Sequence, residues 1–76
     1  MTNELYTMLK TSAEADKAKA LLSLELLGNK AVGIGDHSTE DFYKNAEEAL
    51  TTLVDADDRL ETLEKYFTPP KQEVYG

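Results

Sequence analysis

Residues 39–67 read TEDFYKNAEEALTTLVDADDRLETLEKYF, and the spacing of their apolar side chains decides the fold. At about 100° per residue, Phe42, Ala46, Ala49, Leu50, Leu53, Ala56, Leu60, Leu63 and Phe67 form one stripe along a helix. Glu40, Lys44, Glu47, Glu48, Asp55, Asp58 and Thr62 fall on the opposite side, a solvated and mostly acidic back. Ser38 or Thr39 is placed to cap the helix, and Glu40 and Asp41 suit the positive end of its dipole. Pro69-Pro70 ends it near residue 67, because proline lacks the amide donor and restricts the residue before it. Residues 68–76 then read as a short flexible tail.

Upstream, Gly33-Ile34-Gly35-Asp36-His37-Ser38 reads as a turn whose glycines supply backbone angles that other residues resist. Before it, residues 3–32 are rich in Ala, Leu, Glu and Lys and predict a first helix. Thr2 can cap that helix. Thr11 with Glu14 forms a capping-box pattern, so a start near Ser12 is the alternative. This helix is apolar on two sides. One stripe comprises Tyr6, Leu9, Ala13, Ala20, Leu21, Leu24, Leu27 and Ala31; the other comprises Met8, Ala15, Leu22 and Leu26.

A chain reversing at the glycine turn pairs residues whose numbers sum to about 73, since both helices rise equally per residue. The stripes then match, with Ala31 facing Phe42, Leu27 facing Ala46, Ala20 facing Leu53, Ala13 facing Leu60 and Tyr6 facing Phe67. Small residues repeatedly face large ones, which favours interdigitation. Each stripe carries one charged residue near its middle, Lys17 and Asp57, and these are expected to form an ion pair that fixes register. The competing reading sends Lys17 out to solvent and leaves Asp57 at the stripe's edge.

The whole chain, 1–76, is therefore expected to be one all-α domain, an antiparallel two-helix hairpin. A core in so small a unit rarely stabilises it by more than about 3–5 kcal/mol without a disulfide, a metal or oligomerisation. There is no cysteine and one histidine, which leaves oligomerisation. The Met8, Ala15, Leu22 and Leu26 stripe is the expected self-association surface, giving a four-helix bundle as a homodimer or higher oligomer. An N-terminal segment folded back near Lys10–Thr11 is the competing cover.

The formal net charge of −7 opposes direct binding to nucleic acid or an anionic membrane. No secretory signal and no membrane span are read, so a cytoplasmic setting is expected. The glycine turn is not a phosphate loop: no strand precedes it, and the third glycine or a Gly-Lys-Ser/Thr run is lacking. Asp55-Ala56-Asp57-Asp58 with Glu61 has no EF-hand glycine or distal glutamate, so no metal or other cofactor is expected. Asp36 and His37 could form an acid–base pair, but Ser38 is better explained as a cap than as a nucleophile. That polar tip, with Tyr43 beside it, is the expected interaction tip if one exists. Tyr6, Tyr66 and Phe67 are expected to cap the open end of the core.

The runs Ala20-Leu21-Leu22-Ser23-Leu24-Glu25-Leu26-Leu27, Val32-Gly33-Ile34-Gly35-Asp36-His37-Ser38-Thr39 and Asp55-Ala56-Asp57-Asp58-Arg59-Leu60 resemble short acidic helical proteins of marine bacteriophages, especially phages of cyanobacteria. The resemblance spans roughly residues 18–67. It implies a phage or ocean-metagenome origin and a host cytoplasm, and it carries over no assigned activity and no functional residues. The sequence thus points to a non-enzymatic oligomeric interaction module whose partner is itself or another protein. The alternatives are an acidic decoy for a basic or nucleic-acid-binding host protein, and a sequestering protein with a small-ligand site between subunits.

Overall fold

The computed structural model describes residues 1–29 and 39–67, with Thr39 described in its backbone only. Two helices make up the described chain, α1 from Asn3 to Asn29 and α2 from Thr39 to Phe67. They pack against each other, and no strand occurs among the described residues. The continuation to residue 32, the turn at 33–38 and the tail at 68–76 lie outside the described residues.

Capping sets the start of α1. The Leu5 N–H donates to Thr2 Oγ1 at 3.1 Å, and the Tyr6 N–H donates to the Thr2 carbonyl at 3.0 Å. A side-chain oxygen thereby satisfies one of the amides that a helix start leaves without an intrahelical partner. Helix α1 runs unbroken through Thr11 and Ser12, so the later start is not used. In α2, Glu40 and Asp41 lie in the first turn and Lys65 in the last, each sign opposing the local end of the dipole.

Among the described residues, the buried core consists of Ala13, Ala20, Ala49, Ala56 and Leu63. Four of these five are alanine, and the one large member, Leu63, keeps 8% of its surface exposed. Ala13 and Ala20 are seven residues apart, as are Ala49, Ala56 and Leu63. Half-buried Tyr6 and Leu27 extend the first series, and Phe42 extends the second. Interleaved Ala46, Leu53 and Leu60, also half-buried, complete the alternating four-and-three spacing of a coiled-coil seam on α2. Alanine at every seventh position keeps the contact to a narrow line and lets the two backbones come close.

That narrow line corrects the expected stripes. Leu21 and Leu50, expected in the seam, are about half exposed, and Leu9 and Phe67 are also open. Tyr66 is exposed with its ring centroid 6.4 Å from that of Phe67, so of the three aromatics expected to close the core only Tyr6 is half-buried.

Two surface grooves show the helices to be antiparallel. One, of 540 Å³, is lined by the second half of α1 (Lys19, Ser23, Leu27) and the first half of α2 (Asn45, Glu48, Thr52). The other, of 290 Å³, joins Leu9 and Ser12 to Asp58, Arg59, Thr62 and Leu63. No helix among the described residues is long and apolar enough to cross a membrane.

Candidate functional site

Adjacent residues of a helix point about 100° apart, so Asp16 and Lys17 straddle the line through Ala13 and Ala20. Each meets a different edge of α2. Lys17 Nζ lies 3.0 Å from Asp57 Oδ1, and Arg59 Nη2 donates to Asp16 Oδ2 at 2.8 Å. Arg59 also donates through Nε to Asp55 Oδ2 at 3.1 Å, one turn back on its own helix. Lys19 Nζ is 4.0 Å from the other oxygen of Asp16. The hairpin is thus clipped on both sides at mid-length.

The two clips differ in strength. Arg59 offers several donors in a fixed fork and uses two of them on two carboxylates. The Arg59 hydrogen bond holds the Asp16 carboxyl below its ordinary value, and the charges of Arg59 and Lys19 add to this against a partial burial that opposes it. The hydrogen bond to Asp16 likewise raises Arg59 above its ordinary value, with Asp55 adding to it. The Asp16–Arg59 clip escaped the sequence reading because only charges inside apolar stripes were examined. The signal was present: the numbers of this pair sum to 75, one more than those of Lys17 and Asp57.

The acidic group at Asp55–Asp58 is partly consumed by these contacts, since Asp55 serves Arg59 and Asp57 serves Lys17. Among the described residues, no group of three or more His, Asp or Glu is arranged to hold a metal ion. Asp36 and His37 of the expected tip lie outside the described residues. Tyr43 is exposed and stands edge-on to Phe42, with ring centroids 5.9 Å apart.

The outer face of α1 carries a line of exposed apolar side chains. Met8, Ala15, Leu22 and Leu26 are all exposed, and Met1 and Leu5 extend them toward the helix start. With Ser12 and Lys19 between, positions 1, 5, 8, 12, 15, 19, 22 and 26 repeat the spacing of the inner seam. The five large members are 43–60% exposed. Met1 and Leu5 were not assigned to this stripe from sequence, although the same four-and-three count leads back to them from Met8.

Charge is divided unevenly between the helices. From Asn3 to Asn29, four acids face three lysines, a net of −1; from Thr39 to Phe67, nine acids face three bases, a net of −6. The apolar outer face therefore belongs to the nearly neutral helix. Compared with known proteins, the chain matches no family model, no curated protein and no solved structure.

Proposed function

We propose that this chain is a small, non-enzymatic homo-oligomeric interaction module, in which hairpins pack through the outer faces of α1 into a four-helix bundle. One observation carries the reading: four large apolar side chains stand exposed at seam spacing on α1, with Met1 in line just before it, above a hairpin core that is nearly all alanine. A core of that kind leaves most of the chain's large apolar side chains uncovered, and oligomerisation is a common remedy at this size.

The magnitudes are consistent with assembly. Covering the remaining half of a Leu or Met gains about 1 kcal/mol, so five per copy give about 10 kcal/mol gross for a pair. Association costs about 4–15 kcal/mol in lost freedom. The gain falls within the range of the cost, so assembly is near balance and concentration-dependent. Charge favours α1 over α2 as the buried helix, since joining two helices of −6 would bring like charges together.

Light scattering on a size-exclusion column across a dilution series tests this. The expected mass is at least twice 8.5 kDa at high concentration, falling on dilution. Leu22→Glu with Leu26→Glu should shift the whole series toward monomer. A monomer at every concentration in the parent chain would sink the proposal.

A further inference from the structure

We propose that the long edge carrying the Lys17–Asp57 pair docks an amphipathic helix of a basic partner protein. The edge is built by Tyr43, Leu50 and Val54 of α2 together with Leu21 of α1, which are 48–59% exposed. The two ion-pair clips set the register, so facing residues have numbers summing to 74 or 75. Leu21 therefore lies opposite Leu53 and Val54, and Leu50 lies opposite Leu24. Leu50 and Val54 are one turn apart and adjacent on the helix surface, with Tyr43 two turns earlier. This ridge is separate from the outer face of α1, because Leu21 points about 100° away from Leu22. It also takes no part in the two grooves on the Arg59 edge.

Charge identifies the occupant. Exposed Glu47 and Glu61 lie on the same line of α2 as Tyr43, Leu50 and Val54, exposed Glu25 lies one turn beyond Leu21 on α1, and Asp57 is taken up by Lys17. Two copies meeting here would set these carboxylates against their own equivalents, which is repulsive. Nucleic acid and anionic membranes are opposed for the same reason. A partner gains on both counts if the face it presents intersperses apolar and basic residues. The stretch from Tyr43 to Val54 is about 16 Å long, matching three turns of a helix that sets apolar residues against Tyr43, Leu50 and Val54 and a basic residue against Glu47.

The probe is a labelled synthetic helix of about five turns, with leucines and lysines interspersed along one face. A control peptide has the same composition with the periodicity scrambled. Fluorescence anisotropy against the intact chain should show the amphipathic peptide binding at least about tenfold tighter than the scrambled one, with both weakened by added salt. Leu50→Gln with Val54→Gln should reduce that binding about tenfold or more while leaving the mass seen by light scattering unchanged. Leu22→Gln with Leu26→Gln, which disrupts the outer face of α1 without adding charge, should leave peptide binding intact, so this proposal and the self-association reading fail separately. Equal binding of the scrambled peptide, no binding at all, or a loss of assembled mass in the Leu50/Val54 variant would each overturn it. The last outcome would assign the ridge to a second copy.

Discussion

The Lys17 ammonium and the Asp57 carboxylate lie 3.0 Å apart across the α1–α2 seam, with side chains 41% and 55% exposed. Exposure of that order screens their attraction, and holding two flexible side chains in one geometry costs entropy. Lys17 reaches out along its stem and Asp57 sits at the rim, so the pair combines the snorkelling and the pairing readings. Its use is geometric: a slip of α2 by one residue would separate the charges and turn the alanine line away from the seam.

A double-mutant cycle measures this directly. Asp57→Leu and Lys17→Leu, alone and together, should yield a coupling of about 0.2–1 kcal/mol in urea denaturation at low salt. Near-complete loss of coupling at 1 M salt is expected, because the Debye length falls to about 3 Å. Strictly additive losses at low salt would show that the contact contributes nothing in solution.

On the opposite edge, the Asp16–Arg59 clip predicts a pH dependence. The folded Asp16 carboxyl lies below its ordinary value of 3.8, so between the two values the unfolded chain binds more protons. Stability from this group is fully present above 3.8 and is lost as pH falls through the folded value. The chain's excess of acids acts the other way, since protonating them relieves repulsion. The informative quantity is therefore a difference. Asp16→Asn should flatten the acid limb of a Tm-versus-pH curve relative to the parent, and Arg59→Met should flatten it similarly. Parallel curves would remove the clip from the account.

Thr2 gives a local prediction. Thr2→Ala removes the oxygen that accepts the Leu5 N–H. The first turn of α1 should fray at a cost of about 0.5–1 kcal/mol, with Thr2→Asp restoring or exceeding the parent. Amide exchange at Leu5 reads the effect, which should not reach Ala13.

Both helices were legible in the sequence because composition and apolar spacing are local properties, with a threonine cap at the start of α1 and acids in the first turn of α2. Register was legible because two charges interrupt two apolar stripes at matching places. The extent of the core was not. A projection at 100° per residue counts Leu21 and Leu50 with the stripe, since it knows the direction of a side chain but not how wide the contact is. With Ala13, Ala20, Ala49 and Ala56 at the centre the contact is narrow, and residues on its margins face solvent. Asp16 and Arg59 were missed for a related reason, because flanking positions pair across a seam only after the register is known.

The alanine line makes the seam intolerant of volume. Ala56 is fully covered, and a leucine there must force the helices apart or adopt a strained rotamer. Ala56→Leu should cost about 1–3 kcal/mol and separate both clips, so that the Lys17–Asp57 coupling falls in the same variant. Ala18→Leu, the same change at an exposed position of α1 outside the self-association stripe, should stay within about 0.5 kcal/mol. Urea midpoints of the two variants distinguish a seam held by close backbone approach from one held by apolar area alone. In the second case added volume would be harmless at either site, and Ala56→Leu would stabilise the fold.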